Sequence, residues 1–318
     1  MNTDACFASL SLGGHVRHRL HGQDRTWAET NCWVDLWIEA VAAIGAEPEA
    51  MLGFTVTQDF EGDQFTFFKA PPEDLEALYG VTVQELAVYD PIERHAAVQL
   101  ARGRLCLIEV DPYFLPDTRG LSYALHHGKT TIGVNRLDIA GRRLEYLHNA
   151  GYFALEGKDF DDLFAGHAHG DTPFLPYAEF AKFGPRPGGD LRPMAADILR
   201  RRLARRPAAN PVRAFAAVLV EQARGVAERE DGFFHHYAFN TLRQLGANFQ
   251  LLGDHLVWLD GAEGPGAVQA QRIAETAKLA QFQLARACAR GRYDALPAVI
   301  APAVDAYDAL FDDLARRA

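Results

Sequence analysis

Residues 130–155 read TTIGVNRLDIAGRRLEYLHNAGYFAL, and this stretch decides the fold class. It holds three short runs rich in β-branched, aromatic and leucine side chains, which predict three strands over Thr130–Val134, Arg143–Leu147 and Gly151–Leu155. The segment Ala140-Gly141-Arg142-Arg143 predicts the turn between the first two strands. A cluster of strands is therefore expected in the middle of the chain.

Helices are predicted before this cluster. Thr30-Asn31-Cys32 opens one helix, in which apolar residues recur at helical spacing until Gly45 ends it. Further helices are predicted to begin at Pro72 and Pro91, and the apolar run Leu105–Val110 predicts one more buried strand. Helices followed by a group of strands are typical of an α+β domain.

The second half of the chain has a different pattern, because strand signals stop at about residue 172. Apolar residues between 234 and 259 repeat at steps of three and four, which predicts one long amphipathic helix. Further helices are predicted over residues 193–206, 211–228, 273–287 and 302–316. We therefore predict a first domain over residues 1–170 and an all-helical domain over residues 171–318.

Composition restricts the class of protein. The chain has 318 residues, of which 48% are hydrophobic and 23% charged, with a formal net charge of −10. This acidic balance argues against nucleic-acid partners, and no apolar run approaches the ~20 residues needed to cross a membrane. Four dispersed cysteines without a C-x-x-C pair predict neither a disulfide framework nor a zinc ribbon. A reducing cytoplasm is the expected location.

Cys32 is the candidate nucleophile because it lies in the first turn of its predicted helix. Backbone N–H groups are unpaired there, and together with the helix dipole they favour a thiolate and can bind an oxyanion. The alternative is that Cys32 is a small buried apolar residue, as most cysteines are.

Histidines flank the predicted strands. His126 and His127 precede the strand that begins at Thr130, and His148-Asn149 follows its neighbour. A histidine before one strand and a polar side chain after the next can supply the base and the orienting group that a thiol nucleophile requires. The sequence leaves open which of His126, His127 and His148 is the base.

These residues carry a resemblance to a known family. Cys32 at a helix start, Val110-Asp111-Pro112-Tyr113-Phe114-Leu115-Pro116 after a strand, His127 before a strand and His148-Asn149 after the next resemble the papain-like N-terminal domain of butirosin biosynthesis protein H. The chain is also similar to an uncharacterised bacterial family associated with amino acid:carrier-protein ligases. The resemblance is densest over residues 30–38 and 110–153.

The resemblance implies a papain-like core and transfer of an aminoacyl or acyl group from a carrier protein's phosphopantetheine thioester to a small amine acceptor. Cys32 would be the nucleophile, His127 the base and Asn149 the orienting residue. Neighbouring residues are expected to bind substrate: Asn31, Trp33, Tyr113, Asp117, His126 and His148. No resident cofactor is expected, because the phosphopantetheine arrives on the carrier protein. One departure is that the glutamine of papain-like peptidases has its nearest counterpart in Gln23, nine positions before Cys32.

Two further groups of residues suggest other roles. His167, His169 and Asp171 imitate part of a zinc motif, but no apolar strand precedes them, so we expect a polar loop and no metal site. Arg200, Arg201 and Arg205 belong to a basic cluster on one predicted helix. Such clusters are usually solvated, but these guanidinium groups would also suit an acidic carrier protein or its phosphate.

The same residues are compatible with other functions. A papain-like cysteine peptidase or amidase would use the same nucleophile and base. A carrier-protein-binding module with a degenerate papain-like core would need neither, and its Cys32 would have ordinary thiol reactivity.

Overall fold

The computed structural model of the chain describes residues 4–165, 168–169, 172–173, 176–230 and 232–317. Contacts divide it into two compact units that do not follow chain order. The first unit comprises residues 1–19, 31–48 and 71–188, and the second comprises residues 20–30, 49–70 and 189–318. Among the described residues, no helix combines the length and the apolar composition that a membrane crossing requires.

The first unit contains a six-stranded antiparallel sheet and four helices, so the predicted α+β class is confirmed. The helices are α1 (Cys32–Ala43), α2 (Pro72–Tyr79), α3 (Ile92–Leu100) and α4 (Lys158–Ala165). The strands are β1 (Val81–Glu85), β2 (Leu105–Val110), β3 (Thr130–Asp138), β4 (Arg143–His148), β5 (Gly151–Glu156), the short pair β6 (Ala168–His169) and β7 (Thr172–Pro173), and β8 (Ala178–Phe183).

The order of strands in the main sheet is β1-β8-β2-β3-β4-β5. The four strands predicted between residues 105 and 155 are all present, and two were missed. The prediction that strands stop at about residue 172 is wrong, because β8 pairs with both β1 and β2. Its sequence AEFAKF has few β-branched residues, so pairing on both sides, rather than intrinsic preference, holds it in the sheet.

Helices cover both faces of this sheet. On one face, side chains of α3 and α4 join a buried cluster that contains Ile108, Ile132 and Tyr146. The opposite face meets α1, where Gly133 of β3 faces Leu36. A Cβ on Gly133 would lie 3.2 Å from Leu36 Cδ1, so glycine allows α1 to pack close to the sheet. This close packing determines where the start of α1, and with it Cys32, lies relative to β3.

The part of the chain that follows β8 is helical, as predicted, although the domain predicted to be all-helical over residues 171–318 also contains β8. The helices of this part are α5 (Arg192–Leu203), α6 (Pro211–Ala227), α7 (Phe233–Ala238), α8 (Gln244–Asp260), α9 (Pro265–Arg290) and α10 (Leu296–Arg317). The single helix predicted over residues 234–259 is interrupted by a π-helical segment over Phe239–Arg243. The last helix begins earlier than predicted, and Pro302 lies inside it.

Candidate functional site

Cys32 is the first residue of α1, as the sequence predicts. Asn31 caps the helix, because its side-chain oxygen accepts a hydrogen bond from the Val34 N–H at 3.0 Å. The Cys32 side chain is half-buried, and its thiol donates a weak hydrogen bond to Thr131 Oγ1, with 3.9 Å between sulfur and oxygen. The thiol at this position is partly accessible and lies at the N-terminal end of α1, beside a hydroxyl.

His127 forms a pair with Asp111, which directly follows β2. Nδ1 of His127 lies 2.7 Å from Asp111 Oδ2, and the ring stacks on Tyr113 with 4.2 Å between ring centroids. Because an ionised carboxylate only accepts hydrogen bonds, Nδ1 must carry the proton, which leaves Nε2 as the basic nitrogen of the neutral ring. The His127 side chain is 70% exposed.

Several donors hold Asp111 in its ionised form. Its Oδ1 accepts hydrogen bonds from the N–H groups of Tyr113 at 3.0 Å and Gly128 at 3.1 Å. Partial burial alone would raise the pKa of Asp111, but the hydrogen bonds from His127 and these two N–H groups outweigh it and lower the pKa below its ordinary value. Asp111 is therefore a charged, fixed acceptor for the imidazole.

The strand register places Cys32 and this pair on the same face of the sheet. Glu109 of β2 lies opposite Thr131 of β3, so both side chains share the face that α1 covers. Asp111 has an extended backbone and lies two residues after Glu109, so its side chain keeps to that face. Among the described residues, however, no hydrogen bond joins Cys32 to a histidine.

His148 lies on the other face and has its own partners. It is opposite Ile132 in the β3–β4 ladder, and its side chain is 2% exposed. Nε2 lies 2.8 Å from Thr130 Oγ1, and Nδ1 lies 2.6 Å from Asp117 Oδ2. Tyr146 donates a hydrogen bond to Asp117 Oδ1 at 2.5 Å. The pKa of Tyr146 is raised, mainly because its hydroxyl is buried and also because the Asp117 carboxylate is close to it. His148 and Asp117 thus belong to a buried network.

The other predicted site residues have varied surroundings. Asn149 adopts a left-handed conformation, with φ of 48°, in the two-residue turn between β4 and β5. The described contacts of the His127 ring are with Asp111, Tyr113 and Phe114, and none is with Asn149. Asp111 is the partner of His127 because Asp111 directly follows β2, His127 precedes β3, and β2 and β3 are neighbouring antiparallel strands. Trp33 is buried and packs against Trp37, while His126 is exposed.

The arginine cluster lies on α5, in the second unit. Arg200 and Arg201 both pair with Asp197, and all three side chains are about half exposed. Arg205 is exposed just after the helix. Of the zinc-like motif, His167 and Asp171 lie outside the described residues. Within the described part of the chain, no three histidine, cysteine, aspartate or glutamate side chains form a metal-binding group.

Two residues of this site were not selected from the sequence. Asp111 lies in the motif that follows β2, and its acidic side chain just after a strand is the signal that could have indicated its role. Thr131 had no comparable signal, because threonine is common in strands. Its contact with Cys32 depends on how α1 lies across β3.

Two family models match the chain. The model described as the DUF1839 N-terminal domain matches residues 16–183, and the model described as the DUF1839 C-terminal domain matches residues 189–316. A comparison with curated proteins finds no match. No named relative therefore links the chain to butirosin biosynthesis protein H or to papain-like acyltransferases, and that resemblance stays a prediction.

Proposed function

The chain belongs to the DUF1839 family, and from the geometry of its site we propose that it is a cysteine-dependent acyltransferase with a papain-like core. Cys32 would accept an aminoacyl or acyl group from the phosphopantetheine thioester of a carrier protein and pass it to a small amine. One observation carries this proposal: the half-buried thiol at the start of α1 shares a sheet face with the Asp111–His127 pair.

In this mechanism His127 is the base and Asp111 orients it. The carboxylate holds Nδ1 protonated, so Nε2 takes the proton of Cys32. Because Cys32 and His127 share no hydrogen bond in the described structure, His127 must move towards the thiol when substrate binds. Its exposure permits such movement, and catalytic hydrogen bonds often tighten only in the substrate complex.

The reaction has two balanced steps. The Cys32 thiolate attacks the thioester carbonyl, a new carbon–sulfur bond forms, and the pantetheine sulfur leaves and takes the proton from His127. The amine then attacks the acyl-cysteine carbonyl, gives its proton to His127, and releases the Cys32 thiolate with the amide product. The Cys32 N–H and the positive end of the α1 dipole would stabilise the oxyanion in both steps.

Carrier docking is assigned to Arg200, Arg201 and Arg205. The ion pairs of Arg200 and Arg201 with Asp197 are exposed, so each contributes little and can be replaced by a phosphate or carboxylate of the carrier. We place the reaction in the cytoplasm, which agrees with the four free cysteines of the chain.

Turnover tests this function. The protein is mixed with an aminoacyl carrier protein and a primary amine, and amide formation is followed by mass spectrometry. We expect Cys32→Ala to abolish transfer, whereas Cys288→Ala, which changes a half-buried cysteine on α9, should leave it intact. Transfer by Cys32→Ala at the normal rate would rule out covalent catalysis.

One observation favours a second candidate, a carrier-protein-binding module without catalysis. The nearest polar partner of Cys32 in the described structure is a threonine hydroxyl and not an imidazole. A module of this kind would bind the carrier protein with unchanged affinity after Cys32→Ala and would show no turnover in the wild type. A papain-like peptidase or amidase would instead cleave peptide or amide substrates through the same thiol.

A further inference from the structure

A cavity of about 320 Å³ lies in the helical unit, against α5, the end of α8 and the end of α10. Its floor is formed by leucine side chains that are almost completely buried, namely Leu199, Leu203, Leu256 and Leu314. An aliphatic chain placed in this cavity would gain dispersion contacts with these side chains.

Charged groups lie around the same cavity. Arg192 and Arg200 contribute two guanidinium groups, and Asp260 contributes one carboxylate. Arg192 is fixed in place, because its Nε donates to the Trp258 carbonyl at 3.0 Å and its guanidinium carbon lies 5.0 Å from the centre of the Trp258 ring. The two guanidinium groups therefore offer hydrogen-bond donors to an anionic group of a ligand.

Both arginines can exchange their present partners for such a group. Arg192 pairs with Asp190 at 3.3 Å and Arg200 pairs with Asp197 at 2.8 Å, and all four side chains are about half exposed. Exposed ion pairs contribute little, so a ligand carboxylate that also buries an apolar chain can replace the aspartates.

We propose that this cavity binds a medium-chain aliphatic carboxylate, with the chain on the leucine floor and the carboxylate on Arg192 and Arg200. The volume is near the lower end for small-molecule sites, which suits a single chain and not a two-chain lipid. The apolar floor offers no partners for the many polar groups of a sugar or nucleotide. This binding does not depend on the proposed acyl transfer.

Calorimetric titration of the full chain tests the proposal with three probes below their micellar concentrations: decanoate, 1-decanol and decyltrimethylammonium. We expect decanoate to bind about tenfold more tightly than decanol, because a charge-assisted hydrogen bond is added, and decyltrimethylammonium to bind most weakly. Decanoate should also raise the unfolding temperature.

Variants locate the site. Arg200→Gln should weaken decanoate about tenfold and leave decanol unchanged. Arg201→Gln is the matched control, because Arg201 pairs with the same Asp197 but does not line the cavity. Ala196→Phe should fill the cavity and abolish binding of both probes.

Three results would overturn the proposal: no binding at millimolar decanoate, equal binding of decanoate and decyltrimethylammonium, or unchanged decanoate binding in Arg200→Gln. Unchanged decanoate binding in Arg200→Gln would overturn the proposal even if Ala196→Phe fails to fold. Arg200 is exposed, so its replacement leaves the core intact.

Discussion

The sulfur of Cys32 lies 3.9 Å from the hydroxyl oxygen of Thr131, across the contact between α1 and β3. The thiol is the donor in this contact, and the same hydroxyl can turn and donate a hydrogen bond to the sulfur once a thiolate forms. Thr131 lies in β3, which begins three residues after the proposed base His127, and its hydroxyl contacts Cys32, which is proposed to carry the acyl group.

Replacement of Thr131 by valine removes this donor while keeping the shape of the side chain. We expect the rate of Cys32 alkylation by iodoacetamide at neutral pH to fall about tenfold, because a hydrogen bond to a charged group is lost. Thr131→Ser keeps the hydroxyl and should react at nearly the wild-type rate. Equal rates for the valine and serine variants would show that the hydroxyl has no influence on the thiol.

Asp111→Asn is expected to reduce acyl transfer roughly hundredfold or more, because an amide no longer fixes Nδ1 of His127 as the protonated nitrogen. Nitrogen NMR of the imidazole should show a changed tautomer in this variant, which a purely structural defect would not produce. Glu109→Gln is the matched control on the same sheet face, where Glu109 pairs with Lys129. An unchanged tautomer together with unchanged transfer would remove Asp111 from the mechanism.

The Asp111–His127 pair also shows how far the site is predictable from sequence. The start of α1 at Cys32 is predicted correctly, because helix N-terminal signals are local. The partner of His127 was assigned to Asn149 by resemblance, whereas its described partner is Asp111. The order of the strands in the sheet determines which strand ends lie side by side. That order depends on pairing between distant parts of the chain.

The difference between local and non-local signals also explains why β1 and β8 of the main sheet are not predicted from the sequence. The strands predicted between residues 105 and 155 have dense apolar runs, and short connections join β3 to β4 and β4 to β5. β8 pairs with β1 and β2, and its partner β1 is nearly 100 residues earlier in the chain. No local pattern reports pairing over such a distance. The helices of the second unit were predicted more accurately, because their apolar spacing is a local signal.

His255 is expected to make the stability of the chain depend on pH. Burial lowers its pKa to about 4, although Nδ1 donates to the Glu49 carbonyl at 2.7 Å. Because the folded pKa lies below the unfolded value of about 6.5, this stability is fully present above pH 6.5 and is lost as the pH falls towards 4. The loss corresponds to about 3 kcal/mol.

Urea unfolding at several pH values measures this dependence. His255→Gln should flatten the fall in unfolding free energy between pH 6.5 and 4, whatever its stability at neutral pH. His236→Gln, which changes an exposed histidine on α7, should leave the fall unchanged. An identical pH dependence in the His255 variant and the wild type would assign the effect to other groups.

Two helical glycines are expected to respond to alanine in opposite directions. A Cβ on Gly246 of α8 would lie 2.3 Å from Trp27 Nε1, so Gly246→Ala should destabilise the chain by roughly 1–3 kcal/mol through overpacking. Outside its chain neighbours and the nearby backbone of α6, no described atom lies within 4 Å of a Cβ on Gly225, so Gly225→Ala should stabilise by up to about 1 kcal/mol. Thermal unfolding of both variants provides the comparison. Unchanged or increased stability of Gly246→Ala would contradict the packing around Gly246, and destabilisation by Gly225→Ala would contradict the open space beside Gly225.

Trapping of the acyl-enzyme tests the central proposal most directly. The protein is incubated with an aminoacyl carrier protein without an amine acceptor, and its intact mass and peptide map are recorded. We expect a mass increase equal to the acyl group, located on Cys32, absent from Cys32→Ala and lost when a primary amine is added. No adduct on Cys32, or the same adduct in Cys32→Ala, would contradict a covalent acyl transfer at this thiol.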